Sequence, residues 1–261
     1  MMNSIRFLGT GTSQGVPVIS CSCDVCSSSD PRDKRLRSSA LITYRGKKIL
    51  IDAGPDFRQQ MLAASVCHLD AILLTHQHKD HTAGLDDVRA FNYCADTLYK
   101  VCTPFPIYCE KRVLDSLKME FPYAFSDKKY PGVPEFDINL IDENPFQVCR
   151  ETIVPIRVMH YRLPILGFRF GDLAYITDAK EIPESEFDKL KGVKVLVLNT
   201  VRKTPHISHL SLPEAVEVAR RVGATHTYLT HLSHQLPCHS QLLEELPPDI
   251  TPAYDGLTVE F

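Results

Sequence analysis

Three features are missing from this sequence of 261 residues, and each narrows what the protein can be. No stretch approaches the run of about 18 apolar residues that a membrane-spanning helix needs, so we expect no membrane association. Residues 1–6 lack a basic segment followed by an apolar run, so no secretory signal is predicted and a cytoplasmic location is expected. The formal net charge of −3 gives no basic excess, which disfavours a partner such as long nucleic acid.

Cysteine, by contrast, is abundant, and its number is odd. The chain has nine cysteines. In a protein without an export signal they are expected to be thiols or metal ligands rather than disulfides.

Short β-branched runs recur along the chain, with helical patterns between some of them. Residues 39–44 and 48–51, separated by Arg45-Gly46, predict a hairpin. Such a mixture is typical of an α/β protein with mixed sheets and outer helices. Further strands are predicted at 71–74, 153–159, 173–177, 193–198 and 227–230, and helices at 57–64, 110–119 and 212–221.

Five of the predicted strands are followed by a residue of a metal-ligand type. A single histidine in such a place is more often a structural residue. Strand ends are, however, where open α/β architectures bind ligands, and five repetitions of the pattern strongly favour a site. The five residues are Asp52, His76, His160, Asp178 and His231.

The segment 76–81, with the sequence HQHKDH, concentrates these residue types. Neutral imidazoles suit zinc, manganese or iron, and a carboxylate supplies a hard oxygen. The spacing of His76 and His78 places both on one side of a tight loop, towards one metal, while Asp80 and His81 face a second. A metal-bound histidine usually needs a carboxylate behind it to fix its tautomer, and Asp52 is our candidate for that role.

A second metal motif lies near the N-terminus. Cys21, Cys23 and Cys26 place three thiols within six residues, as in the loop of a structural zinc knuckle. A fourth ligand is missing locally, and His234, three residues after His231, is free to supply it. Such a closed zinc site would join the N-terminal loop to the last ligand loop. The other six cysteines are expected to serve packing.

The HQHKDH segment and the preceding Ile51-Asp52-Ala53-Gly54 resemble the metallo-β-lactamase superfamily, and the resemblance covers nearly the whole chain. It implies a single domain over residues 1–261: an αββα sandwich with two mixed β-sheets, outer helices and the site at one edge. It also implies two divalent ions, zinc or manganese. By this resemblance one ion is held by His76, His78 and His160, the other by Asp80, His81 and His231, and Asp178 bridges them.

Three other segments narrow the resemblance. Residues 7–17, the cysteine motif and residues 230–235 (THLSHQ) together resemble the branch of phosphodiesterases that opens phosphoribosyl 1,2-cyclic phosphate. A protein of pyrroloquinoline quinone synthesis shares the cysteine motif, and ribonuclease Z shares the glycine-threonine start and the metal set. Residues 9–15 resemble a phosphate cradle, but no helical pattern follows them, so we interpret them as a structural turn.

Hydrolysis of a phosphoester also requires an acid for the leaving alkoxide. His209 precedes a predicted helix, where phosphodiesterases of the superfamily carry that acid, and His206 is the alternative. We therefore predict His209 and the ligand Asp80 as catalytic residues. Candidate phosphate partners are Arg89, Arg162 and Lys203.

The predicted function is a dinuclear-metal phosphodiesterase acting on a small, anionic, cyclic phosphate ester. One alternative is a thioester or lactone hydrolase of the same fold, for which a proton donor matters less. Another is an accessory protein of quinone-cofactor synthesis without turnover. Residues 86–145 are rich in aromatics and prolines, so we interpret them as an elaboration over one edge of the site. They would shape the pocket or a homodimer contact.

Overall fold

The computed structural model describes residues 2–93 and 102–261. None of the helices in these two ranges is long and apolar enough to cross a membrane. The strands are β1 (Ser4–Gly9), β2 (Ser39–Tyr44), β3 (Lys47–Ile51), β4 (Ala71–Leu73), β5 (Phe105–Cys109), β6 (Phe136–Leu140), β7 (Phe146–Val148), β8 (Glu151–His160), β9 (Leu163–Phe170), β10 (Leu173–Tyr175), β11 (Val195–Asn199), β12 (His226–Thr230), β13 (Ile250–Pro252) and β14 (Thr258–Glu260). The α-helices are α1 (Asp24–Ser27), α2 (Phe57–Ala63), α3 (Lys79–Thr82), α4 (Arg89–Asn92), α5 (Lys111–Glu120), α6 (Phe187–Leu190), α7 (Leu212–Val222) and α8 (His239–Glu245).

The strands form two mixed sheets of seven strands each. The first sheet has the order β14-β1-β2-β3-β4-β5-β6, antiparallel as far as β3 and parallel from β3 to β6. The second sheet has the order β13-β12-β11-β10-β9-β8-β7, parallel from β13 to β10 and antiparallel from β10 to β7. Parallel neighbours end at the same edge of a sheet, so the residues after β3 and β4 lie together, as do those after β10, β11 and β12.

Alternating side chains divide the core into layers. In β3, Ile49 and Ile51 pack between the two sheets, whereas Leu50 packs on the outer side of the first sheet. Successive side chains of a strand point to opposite faces, so a strand covered on both sides is apolar throughout. Helices α2 and α5 contribute to the outer layer of the first sheet and α7 to that of the second. This is the αββα sandwich that the sequence resemblance implied, and that prediction is confirmed.

Helix α7 directly follows the loop that carries His209, and both of its ends have clear caps. Ser211 and Glu214 form a capping box at its N-terminus. Gly223 ends the helix in the left-handed conformation, at φ 68°, which glycine adopts without the strain of a side chain. Both helix ends thus follow from local sequence.

The predicted hairpin, strands and helices are present, with ends that differ by two residues at most. The interpretation of residues 86–145 needs correction, because β5, α5 and β6 are regular parts of the sandwich. The two strands extend the first sheet, and α5 buries Val113 and Leu117 against its outer face. Residues 94–101 of this stretch lie outside the described residues, and a role in a homodimer contact stays a prediction.

Candidate active site

The predicted strand-end residues meet where the edges of the two sheets face each other. Asp52 and His76 come from the first sheet, and His160, Asp178 and His231 come from the second. Asp52, Asp178 and His231 have left-handed backbones, with φ of 61°, 58° and 55°. Such a conformation costs a residue other than glycine about 1–3 kcal/mol and concentrates at functional sites.

Asp178 lies at the middle of this group. Its Oδ2 is 3.3 Å from His81 Nε2, and its Oδ1 is 3.2 Å from His231 Nε2. With Asp80, these three residues place one ligand-type atom each within 4.8 Å of one another. His160 and His209 form a second such group with the same Asp178 carboxylate. The carboxylate is therefore shared between two clusters of ligand-type atoms.

His76 and His78 lie beside these clusters. The ring centroids of His76 and His78 are 4.6 Å apart, and those of His78 and His160 are 5.1 Å apart. The ring centroids of His76 and His81 are 4.2 Å apart, so His76 also contacts the first cluster. The structure thus brings together all seven residues predicted for the catalytic metal pair.

In the first sheet, one carboxylate sets the tautomers of two histidines. His81 Nδ1 lies 2.7 Å from Asp52 Oδ2, and a carboxylate can only accept, so Nδ1 carries the hydrogen. Thr75 donates its hydroxyl hydrogen to Asp52 and therefore accepts from His76 Nδ1, at 2.9 Å. Gly54 allows this turn to approach α3, because a Cβ there would lie 2.0 Å from the carbonyl oxygen of Asp80. The contact predicted for Asp52 is present, and in the neutral form of each histidine Nε2 is left free of hydrogen.

In the second sheet, main-chain carbonyls and a serine play the same part. His160 Nδ1 donates to the carbonyl oxygens of Asp178 and Ser208, at 2.9 and 3.0 Å. His231 Nδ1 lies 3.0 Å from the hydroxyl of Ser38. Asn199, which ends β11, holds the Asp178 turn by bonding both the N–H and the carbonyl of Ala179, at 2.7 and 3.0 Å.

The surroundings of the unpartnered Nε2 atoms show whether these residues fit a metal. The Nε2 atoms of His76 and His81 are buried and have no hydrogen-bond partner among the described residues. In the tautomer set by Asp52, the lone pair of His81 Nε2 lies 3.1 Å from a carboxylate oxygen of Asp80. A lone pair facing an anion is repulsive unless a proton or a cation lies between them. Imidazole nitrogens and carboxylate oxygens are the ligands of zinc and manganese, so the residues fit divalent ions.

The charges of the site agree with this fit. Burial and neighbouring histidines leave the pKa of His76 and His231 below the ordinary value, so both are neutral at neutral pH. Burial opposes ionisation of Asp178, but His231 and His81 hold its pKa well below the usual range. Burial lowers the pKa of His81, yet the surrounding carboxylates raise it well above the ordinary value. His81 therefore holds a proton that an incoming metal would displace.

The N-terminal cysteines form the second predicted cluster. Cys21, Cys23, Cys26 and His234 place their ligand-type atoms within 4.8 Å of one another. His234 Nδ1 lies 3.2 Å from Cys21 Sγ and 3.6 Å from Cys23 Sγ, close to the separation of about 3.5 Å in a tetrahedral zinc site. The backbone N–H of Cys26 is the main cause that lowers the pKa of Cys23 to about 6. Cys23 is thus a thiolate at neutral pH, which is the form that binds zinc.

His209 lies beside the shared carboxylate, with its Nδ1 3.8 Å from Asp178 Oδ1. That nitrogen is buried and has no hydrogen-bond partner among the described residues. Burial lowers the pKa of His209 to about 3, although Asp178 opposes the shift. His206 is adjacent, with ring centroids 5.0 Å apart. A cavity of about 250 Å³ opens here and is lined by Thr12, Ser13, Gln14, Val18, Val201, His206, His209, His231, Ser233, His234 and Gln235.

The three predicted phosphate partners are not part of this arrangement. Arg89 forms an ion pair with Asp86 at 3.0 Å, and Lys203 forms one with Glu245 at 2.6 Å. Arg162 lies over the ring of Tyr161, 5.2 Å from its centroid. Within residues 2–93 and 102–261, none of the three makes a hydrogen bond or ion pair with the histidine cluster.

Three contributing residues were missed in the sequence: Ser38, Thr75 and Asn199. Asn199 carried a usable signal, because it is a polar residue directly after a predicted strand, as several of the ligand-type residues are. Ser38 and Thr75 carried none, since a hydroxyl group acquires its role only from partners brought to it by the fold.

Comparison with known proteins places the chain in a family. Residues 47–232 match a β-lactamase superfamily domain. Octanoyltransferase of Porphyromonas gingivalis is 44% identical over 253 residues, which are 96% of this chain and 50% of that protein. The chain thus spans half the length of that relative. Coenzyme PQQ synthesis protein B of Methylorubrum populi is 33% identical over 222 residues, 75% of this chain and 72% of that protein.

A solved structure agrees closely with the whole fold. It is a crystal structure of a new diphosphatase from the PhnP family, with 39% sequence identity and a TM-score of 0.92. The match covers 100% of this chain and 98% of the other. The fold, the converging histidines and carboxylates, and the matched domain lead to one conclusion: the chain belongs to the metallo-β-lactamase superfamily.

Proposed function

We propose that the protein is a two-metal hydrolase of a small phosphodiester. Its fold implies divalent metal ions, and its site has the donors for them. In this proposal two ions would share Asp178. His76, His78 and His160 would hold one of them, and Asp80, His81 and His231 would hold the other. The support is the set of hydrogen bonds that leaves Nε2 of His76, His81, His160 and His231 free to ligate.

The chemistry divides between the ions and the chain. When bound, divalent ions in such a site lower the pKa of water towards about 7 and neutralise charge on phosphoryl oxygens. Asp178 and Asp80 would supply the negative charge that holds the ions. Asp52 and Ser38 keep the ligating histidines in a single tautomer.

The cavity beside His209 is the observation that carries the phosphoester assignment. Its walls include the hydroxyl groups of Thr12, Ser13 and Ser233 and the amides of Gln14 and Gln235. These groups can bond to the oxygens of a small polar substrate. An acyl chain in the same space would meet mainly polar side chains and displace their water without offering hydrogen bonds in return. The lining therefore favours a phosphate ester over a thioester.

His209 is proposed as the proton donor to the leaving oxygen. In the free site burial keeps it neutral, with a pKa of about 3. The negative charge of a bound phosphate raises the pKa of a nearby histidine, so substrate binding itself favours the protonated form. His209 also lies within ligand distance of His160 and Asp178, so its competing role is that of a metal ligand.

A turnover screen on metal-replete protein tests the proposal. The substrates are phosphoribosyl 1,2-cyclic phosphate, bis-p-nitrophenyl phosphate, an octanoyl thioester and a lactone. We expect hydrolysis of the two diesters, dependent on added zinc or manganese and lost in Asp178→Ala. Preferential hydrolysis of the thioester or lactone, or no turnover with any substrate, would overturn it.

Diphosphate hydrolysis is a second candidate, favoured by the diphosphatase described among the similar structures. The same site would serve, because a phosphoric anhydride also develops negative charge on its leaving oxygen. A dinucleotide diphosphate added to the screen separates the two candidates. Faster turnover of the anhydride than of either diester would replace the first proposal by the second.

Two of the relatives concern the alternative functions, which are thioester hydrolysis and an accessory role without turnover. The octanoyltransferase is about twice as long as the matched region, so its activity need not belong to the part shared with this chain. Because one relative is a quinone-cofactor synthesis protein, an accessory role of this chain without turnover stays a hypothesis. The octanoyl thioester in the screen tests the first, and the absence of any turnover would favour the second.

A further inference from the structure

Ser38 joins a proposed metal ligand to the N-terminal glycine-threonine segment, residues 9–15. Its side chain is buried, with Oγ 2.9 Å from the carbonyl oxygen of Gly11 and 3.0 Å from His231 Nδ1. A carbonyl oxygen only accepts hydrogen bonds, so Ser38 donates its hydroxyl hydrogen to Gly11. The serine oxygen is then the acceptor for His231 Nδ1. This leaves His231 Nε2, 3.2 Å from Asp178, as the atom available to a metal.

The glycine-threonine segment is built against the loop that carries His231. Thr10 accepts from the N–H of Leu232 at 2.8 Å, and the N–H of Thr12 bonds the carbonyl of Leu232 at 3.3 Å. Gly11 donates its own N–H to Leu36 at 2.8 Å. A Cβ on Gly11 would lie 3.0 Å from the carbonyl oxygens of both Arg35 and Leu36. Glycine at this position thus lets the segment approach closely enough for its carbonyl to reach Ser38.

We propose that Ser38 is a positioning residue of the metal centre, through which the glycine-threonine segment fixes the tautomer and orientation of His231. The main chain of the segment thus supports a ligand, while the side chains of residues 12–14 line the cavity. The inference rests on the proposed function, in which His231 binds a metal. Partners of this kind typically change metal affinity by about 10- to 100-fold when removed.

The test compares four forms of the metal-depleted protein: wild type, Ser38→Ala, Ser38→Thr and Ser39→Ala. Ser39 is a matched control, because it is equally buried and its hydroxyl bonds main-chain carbonyls, those of Ile51 and Asp52. Zinc affinity is measured by competition with a chromophoric chelator. We expect one ion to bind about 10- to 100-fold more weakly in Ser38→Ala. The Ser38→Thr variant, which keeps the hydroxyl, should restore much of the affinity, and Ser39→Ala should bind as wild type does.

The outcomes separate the inference from the proposed function. Equal affinity for every ion in Ser38→Ala and wild type would overturn the role of Ser38 and leave the proposed function intact. A wild-type protein that binds no ion at the histidine-carboxylate centre would overturn the proposed function itself. If Ser38→Ala does not fold, long-range ¹H–¹⁵N correlation on the wild-type protein decides the question. The hydrogen of His231 should be on Nδ1, and its presence on Nε2 would overturn the inference.

Discussion

His81 donates its Nδ1 hydrogen to Asp52 across 2.7 Å, and neither side chain is exposed to solvent. Asp52 also accepts the hydroxyl hydrogen of Thr75, which in turn accepts from His76. A single buried carboxylate therefore governs one histidine in each proposed ligand set.

Replacing Asp52 by asparagine should weaken the binding of both ions. An asparagine amide has one accepting oxygen, so its NH₂ must face either the N–H of Thr75 or the donors on Asp52 Oδ2, which are His81 Nδ1 and the Thr75 hydroxyl. Loss of such a partner typically lowers metal affinity by about 10- to 100-fold. Zinc titration of Asp52→Asn is the measurement. Asp56→Asn is the control, because Asp56 bonds Arg37 and no histidine of the site. Unchanged affinity in Asp52→Asn would show that the contact serves folding alone.

Replacing Asp178 by alanine should remove both ions, because the proposed bridge contacts both ligand sets. Turnover should fall below detection. Asp80→Ala, which removes a ligand of one ion only, should abolish turnover with partial retention of metal. Elemental analysis of the purified proteins gives the count. Two ions at the catalytic centre of Asp178→Ala would refute the bridging assignment.

The cysteine cluster should hold one zinc ion that supports folding. Cys23→Ser should lose that ion and unfold at a lower temperature, while metal-replete turnover of the folded fraction stays near that of wild type. Each kcal/mol of lost stability lowers the melting temperature of a domain of this size by about 2–4 °C, so the effect is measurable. Exposed Cys67 provides the control, as Cys67→Ser. The absence of anomalous scattering from a metal between the four ligands would disprove the site.

His209 should matter in proportion to the basicity of the leaving group. Proton donation typically contributes about 100- to 10,000-fold, so His209→Ala should slow hydrolysis of a sugar-alkoxide diester by at least about 100-fold. It should slow release of p-nitrophenolate much less, because that group leaves without a proton. Metal content should be unchanged. An equal loss of rate on both substrates, together with loss of an ion, would identify His209 as a metal ligand and not a proton donor.

Asp255 should give the fold a pH dependence that is separate from catalysis. Burial raises its pKa from 3.8 to about 6, against the bonds from Leu36 and Thr10 and the charge of Arg35. Below about pH 4 the carboxyl is protonated in both states, and between about pH 4 and 6 it ionises first in the unfolded chain. The free energy of unfolding should therefore fall as pH rises through this window, by up to about 3 kcal/mol. In Asp255→Asn that fall should disappear, which urea unfolding at several pH values in chelating buffer would show. An identical profile in both proteins would refute the assignment.

The sequence predicted which residues would converge better than it predicted the strands of the sheets. Ligand-type residues at strand ends are visible because each strand is a local pattern and the chemistry of histidine and aspartate is distinctive. Strands β4 and β10 have only three residues but are buried throughout, so an apolar run marks them. Strands β7, β13 and β14 are as short and partly exposed, and no such run marks them. The bond between Ser38 and His231 spans 193 positions of the chain, and no local pattern encodes such a contact.

The division of ligand-type residues between the two sheets has a mechanical consequence. Asp80 and His81 follow β4, whereas Asp178 and His231 follow β10 and β12, so an ion bound among them would tie the two sheets together, in addition to the apolar core between them. Neither sheet alone can offer a complete coordination sphere. An ion at about 100 times its dissociation constant adds about 2.7 kcal/mol to the stability of the joined state. Removal of the ions by a chelator should therefore loosen the contact between the sheets first at the edge that carries the proposed ligands. Amide hydrogens at those strand ends would then exchange sooner than those at the opposite edge.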